Sequence, residues 1–489
     1  MRNLLWSLAI AACGGLVACG GKPAAPTGPG AGAAVAPAFA AARWVPANPT
    51  YLIAAKTVRD GQRALHDVLD QLGMAGGFEL RDVSAELTQV LGVDPLSSDA
   101  LGNVGVDLDG GLAVFSEDFT PTFVVHLTAP DQFQAFLDRE RARGMSTIST
   151  TVDGVELNTA NLGGDVAIGW AVDKDWLWVH FGAKGMAGDW FEHSHKAAAA
   201  AWSSAWAWAQ QHAGKAAVVG FAQVKDFVTA TLAKVSNGKT CLQQLAAIDR
   251  VGFAFDVDGR KVGARMTLDL GTSAGDMAKH VLAPPPGWNA VATTAPLQLQ
   301  WNLDLDAVTA WASPCVHVLT ADPDPFAEIE QYGVRTARAL VLSVDPDDKS
   351  GAGAIALDLS SGKFLQSYVD KASHFSSDQT FGPYHGHHVS IPFVAKLDYV
   401  FDGKVAIAAM GEGVMDRVTA GAPGAAPPVF SLSIQPDGMP KASWAWLFDQ
   451  IDLPNPKQLV DRLSSWREAH LTATLEGTAL VVELAGSHK

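Results

Sequence analysis

Positive charge is what this chain most lacks: 35 Lys and Arg stand against 51 Asp and Glu, a net charge of −16 over 489 residues. Phosphate backbones repel such a surface at long range, which excludes nucleic acid as a partner. Charge of either sign is sparse, 18% of residues against 48% hydrophobic. A chain with that much to bury is globular rather than disordered, and its length is enough for about two to four folded units. Apolar runs of the roughly 18 or more residues that a spanning helix needs are missing. So are the glycine-rich signatures of nucleotide sites, a GxGxxG between strand and helix or a phosphate loop ending in Lys-Ser/Thr, and no cofactor is expected. Cysteine is scarce, with four in all.

What is present begins with an address. Arg2, an apolar run over 4–12 and small residues up to Cys19 follow the order of a secretory signal. The segment Leu16-Val17-Ala18-Cys19-Gly20 resembles the lipobox of Gram-negative bacterial lipoproteins. That resemblance implies cleavage before Cys19 and acylation, palmitate included, of its side chain and new N-terminus. The residue after the cysteine is Gly20 rather than the Asp that favours inner-membrane retention, so it also implies the outer membrane, on its periplasmic or surface face. Several acyl chains hold a protein at a bilayer without any spanning segment. Residues 1–18 are then the signal and 19–43 a lipidated tether of Gly, Ala and Pro, with a reach of about 25 Å as coil and up to about 70 Å extended. Cys13 leaves with the signal. Cys241 and Cys315 remain in an oxidising compartment, either as a disulfide or as two separately buried thiols.

Periodicity predicts an α+β fold of antiparallel sheets flanked by helices, in two similar halves from an internal duplication. In the first half, a strand at 51–55 leads to helices and a hairpin at 111–127. Pro130 opens a helix capped by Thr128 and carrying Phe133, Phe136 and Leu137, and strands follow over 147–152, 155–158, 166–172 and 176–181. The second half repeats the order with strands at 297–303, 337–344 and 352–359 and a helix burying Phe364, Leu365, Tyr368 and Val369. Strands at 388–391, 397–401 and 404–409 complete it. Each half closes with strand, helix and hairpin, turning at Asp258-Gly259 and at Glu476-Gly477. The halves span 44–272 and 288–489, joined by 273–287. The mature region resembles, in pattern alone, uncharacterised bacterial exported repeat proteins, a resemblance that brings no catalytic residues.

Candidate chemistry is thin. Gly271-Thr272-Ser273-Ala274-Gly275 fits G-x-S-x-G, but the preceding strand alternates Arg265, Thr267 and Asp269 and so is half-solvated and antiparallel, unlike the buried parallel strand that presents a nucleophilic serine. A hydrolase using Ser273 stays an alternative. His385, His387 and His388 form a weak metal-binding candidate; the same segment, lacking adjacent carboxylates at ligand spacing, fits a solvated turn equivalent to Asp153-Gly154. His193 and His195 beside Glu192 repeat the theme. The acidic segments 322–324 and 345–348 lack calcium-loop spacing and are turns. Trp202, Trp206 and Trp208 fall at helical spacing, and Trp444 and Trp446 on one face of a strand; such residues belong to a core or line a groove for an apolar ligand or an envelope protein. The expected function is a non-enzymatic binding or structural role, with a carrier of lipid or another apolar ligand as the second possibility.

Overall fold

The computed structural model describes residues 37–66, 84–85, 88–89, 92–117, 119–199, 209, 216–224, 248–258, 261–271, 274–281, 295–304, 307, 337–345, 352–390, 396–420, 428–450 and 456–489. It is a mixed α+β structure whose residues fall into two compact units. One holds residues from 25–227 and 250–257, the other those from 228–249 and 258–489.

The first unit carries strands β1 (Tyr51–Ala55), β2 (Leu112–Ser116), β3 (Thr122–His126), β4 (Thr147–Val152), β5 (Val155–Gly163), β6 (Val166–Asp173), β7 (Trp176–Ala183), β8 (Val218–Gln223) and β9 (Arg250–Asp258). They pair antiparallel in the order β9-β8-β1-β2-β3-β7-β6-β5-β4. Two-residue alternation sorts side chains between the faces. In register across the sheet, Ala254, Val219, Ala54, Ala113, Val124, Trp178, Ala171 and Leu157 form one buried row. The 3-10 helix Pro37–Trp44 and the helix Ala187–Ala199 cover it with Phe39, Trp44 and Phe191. The opposite face, with Trp170, Leu177 and Ala160, is covered by Phe133 and Leu137 of the helix Pro130–Ala142 and by Val104 and Val106, just beyond the helix Ser98–Asn103. Each large side chain so buried stabilises by about 1.5–3 kcal/mol.

The second unit carries β10 (Lys261–Asp269), β11 (Leu297–Trp301), β12 (Ala337–Asp345), β13 (Ala352–Leu359), β14 (Ser376–Phe381), β15 (Tyr384–Val389), β16 (Leu397–Phe401), β17 (Val405–Met410), β18 (Phe430–Ile434), β19 (Trp466–Glu476) and β20 (Ala479–His488). Its antiparallel order is β10-β20-β19-β18-β11-β12-β13-β17-β16-β15-β14. Ala354, Ala356, Ile407, Ala409, Val400 and Phe381 line one face beneath Val414, Met415 and Val418 of the helix Val414–Ala420. A second cluster joins Leu297 to Met439, Trp444 and Val460. Among the described residues, no helix is long and apolar enough to cross a membrane.

Several local expectations are corrected. Residues 37–43, read as the end of the tether, are packed, because Phe39, Ala41 and Ala42 bury against the sheet. Thr128 does not cap the helix Pro130–Ala142: the cap position is Ala129, without a side-chain bond, and the Thr128 hydroxyl turns to the Gly105 carbonyl. Trp444 and Trp446 lie in a helix, Lys441–Gln450, that packs Trp444 against Val460 of the helix Pro456–Leu463. Tyr368 is 68% exposed rather than part of a buried helix face. The wholly polar start of β14 pairs as an edge strand and was not foreseen from its sequence, Ser-Ser-Asp-Gln-Thr-Phe.

Candidate functional site

The histidine segment 385–388 is not a turn. It forms most of β15, hydrogen-bonded between β14 and β16, and the turn lies one step earlier at Gly382, whose φ is 55°. Alternation along the strand then separates the imidazoles, with His388 on one face and His387 on the other. His387 rests on Tyr399, ring centroids 4.9 Å apart, and its Nδ1 lies 3.1 Å from the 96% exposed Asp378 carboxylate without a hydrogen bond. Among the described residues, no group of three or more His, Cys, Asp or Glu is placed to hold a metal ion.

His388 shares its face with Asp398, which stands directly opposite it on β16. Nδ1 and the carboxylate oxygen are 2.6 Å apart, and Nε2 is 3.3 Å from the Ser390 hydroxyl. Both members of the His388–Asp398 pair are largely buried, while Ser390 is exposed at the strand end. The carboxylate selects the tautomer protonated on Nδ1, leaving Nε2 as an acceptor for the serine hydroxyl. The row can pass a proton, and it ties β15 to β16 through side chains as well as backbone.

The first unit holds a second polar constellation under the helix Ala187–Ala199. His180, 2% exposed, has Nδ1 2.8 Å from the Thr122 hydroxyl. Its ring lies between Trp178 and Trp190, at centroid distances of 5.7 and 5.8 Å with both pairs stacked. His195 stacks on Phe191 and sits 3.5 Å from Asp153 and 3.4 Å from Asp173, two turn carboxylates of neighbouring hairpins. His193 reaches Glu117 at 3.1 Å. These contacts use the imidazoles to pin the helix to the sheet.

No protein-family model matches the chain, and no curated protein matches it. Among solved structures it is similar to crystal forms III and I of the Treponema protein TP0453. Each is 10% identical, over 51% and 49% of this chain and 88% and 80% of theirs, with TM-scores of 0.28 and 0.27. Form IV is 11% identical over 43% of this chain and 83% of its own, with a TM-score of 0.22. At these TM-scores the likeness carries no inference of function.

Of the other sequence candidates, Cys19, Cys241, Cys315 and Ser273 lie outside the described residues, as do Trp202, Trp206 and Trp208. Beside Ser273, the strand β10 pairs antiparallel with β20, and Arg265 on it bonds Glu476 and Glu483. Asp398, Ser390 and His180 were missed by sequence reasoning. The signal for Asp398 was its position in the second of two adjacent strands; the register that sets it against His388 was not readable. For His180 the signal was its place in the alternating run Trp176, Trp178, His180, which marks a buried face.

Proposed function

We propose that the chain is a lipid-anchored outer-membrane lipoprotein with a non-enzymatic binding or structural role in the cell envelope. The observation that carries this is Leu16-Val17-Ala18-Cys19-Gly20 at the end of a signal-like segment, followed by residues of linker composition. Cys19 is the lipidated residue. The body is an internal duplication of two halves: adding ten to each strand number of the first order, β9-β8-β1-β2-β3-β7-β6-β5-β4, yields the run from β19 to β14 in the second. Helices between β3 and β4 and after β7 have counterparts between β13 and β14 and after β17. A shared order of nine strands supports common descent, since sheets of that size admit many orders. The role is proposed as non-enzymatic; among the described residues, the Asp398–His388 contact is one that ties β15 to β16.

Replacing Cys19 with Ser tests the anchor. Fractionation of cells is expected to move the variant from the membrane to the soluble fraction, with loss of acyl mass from the protein. Unchanged membrane retention overturns the reading.

A further inference from the structure

The sheet of the first unit ends on β4, Thr-Ile-Ser-Thr-Thr-Val, which among the described residues pairs only with β5. Ile148, Ser149, Thr150 and Thr151 are all exposed, Ile148 to 69%. The turn Asp153-Gly154, with φ of 51° and 81°, joins the two strands and sets Val152 and Val155 beside it as a hydrogen-bonded pair. Bonded and non-bonded pairs alternate along an antiparallel ladder, so Thr150 and Ile148 also bond inward to β5. The Thr159 hydroxyl donates to the Ile148 carbonyl at 3.3 Å, in keeping with that phase. Thr147, Ser149 and Thr151 therefore turn their N–H and C=O groups outward.

An open row of backbone donors and acceptors is a template for another strand, and proteins blunt it with charge, proline or a bulge. β4 has none of these: its six residues include no charge, Pro or Gly and keep unbroken register with β5. β14 is the contrast. It too ends the sheet of its unit, but carries Asp378, 96% exposed, in its middle. One edge is guarded by charge and the other is bare.

We infer that β4 pairs antiparallel with β4 of a second copy of this chain, about a two-fold axis at Ser149. The axis follows from which groups face outward. Bonded partners across the seam must come from Thr147, Ser149 and Thr151, and only a register centred on Ser149 uses all three. Ser149 then meets Ser149, and Thr147 meets Thr151 of the second copy. The side chains suit this self-pairing. Short hydroxyl residues face one another across the bonded pairs, and no like charges are opposed within the seam. On the other face Ile148 stands opposite Thr150 and diagonal to Ile148 of the second copy, so each exposed isoleucine gains cover from its counterpart. The strand ends are complementary as well: Asp153 follows β4 and Arg143 shortly precedes it, so the seam sets the acidic end of one strand beside the basic approach of the other. Each also has a partner within its own chain, Asp153 in His195 and Arg143 in Glu140. This two-fold match selects a second copy over an unrelated extended segment. The pairing does not depend on the lipid anchor.

The test uses the full-length protein in detergent solution, carrying Ser149→Cys, under mild oxidation. Bonded partners have Cα atoms about 5.5 Å apart, within the range a disulfide spans. Mass spectrometry of the digest is expected to find a peptide bridged from 149 to 149, distinct from any bridge through the other cysteines of the chain. Thr151→Cys is the control, because the axis sets the two copies of position 151 roughly 14 Å apart. Its 151-to-151 bridge is expected at a yield roughly fivefold lower or less. Mixing Thr147→Cys with Thr151→Cys protein is expected to give the 147-to-151 bridge. Ser149→Asp, which places like charges on the axis, is expected to weaken dimerisation roughly tenfold in sedimentation while circular dichroism stays unchanged. If that variant unfolds, the position dependence of the bridges decides alone. Protein that sediments as a monomer at every concentration overturns the pairing. So does a folded Ser149→Asp variant that dimerises as well as wild type, or a 151-to-151 bridge as abundant as the one at 149. A bridge in cells from position 149 to a different protein identifies another occupant and also overturns it. The anchor is read separately, from Cys19→Ser, and stands or falls by itself.

Discussion

His388 and Asp398 face each other across β15 and β16, with Nδ1 2.6 Å from the carboxylate oxygen. The pair is mostly withdrawn from water. Replacing Asp398 with Ala strands the His388 N–H, and the expected loss is about 1–3 kcal/mol of stability, whereas Ser390→Ala, at an exposed hydroxyl, stays within about 0.5 kcal/mol. Urea unfolding of the two variants checks this. Equal effects would sink the clamp role of the pair.

Gly105 has φ of 86°, and a Cβ there would collide with the Ala129 carbonyl oxygen. Its own carbonyl accepts from Thr128 and Ala129 N–H groups, which sets the entry to the helix Pro130–Ala142. Gly105→Ala is expected to cost roughly 2 kcal/mol or more. Gly188, helical and with nothing within 4 Å of an added Cβ, is the contrast: Gly188→Ala is expected to stabilise by about 0.4–1 kcal/mol. Thermal unfolding separates the two, and opposite signs are required.

Trp444 is 2% exposed and donates its indole N–H to the Pro436 carbonyl at 3.1 Å. Truncation to Ala is expected to cost about 3–5 kcal/mol through the cavity it leaves. Trp444→Phe keeps most of the apolar burial but removes the donor, a loss of about 1–3 kcal/mol. Calorimetry should rank wild type above Phe and Phe above Ala.

The Tyr384 hydroxyl is held above its ordinary pKa, first by burial and then by the Asp402 carboxylate. A raised folded pKa means that the folded state keeps its proton where the unfolded state has lost it. The stabilisation is complete below about pH 10, the unfolded phenol value, and disappears as pH rises through the higher folded value. Stability measured between about pH 9 and 11 should therefore fall, and Tyr384→Phe should flatten that part of the profile. An identical slope in the variant would assign the effect to other groups.

The sequence carried the outline of the fold because two-residue alternation is a local property. Leu177, Val179 and Phe181 against Trp176, Trp178 and His180 mark a two-faced strand in any tertiary setting, and Asp153-Gly154 turns because both residues accept positive φ, here 51° and 81°. The element order was legible for the same reason. Trp444-Ala-Trp446 alternates like a strand yet is helical, since helix packing on Val460 outweighs a three-residue pattern.

Of the candidate site, the histidines were visible as letters but their separation was not. A one-residue change of register exchanges the two faces of β15. The pairing that puts His388 against Asp398 and His387 against Tyr399 is set by β14, β16 and the core beneath them. By itself the sequence determined composition and the strand and helix periods, the periods being fixed by neighbours within a few residues. Tertiary structure alone decided which strands became neighbours and which histidine met which carboxylate. Those relationships join residues far apart in the chain through backbone hydrogen bonds that no local pattern encodes.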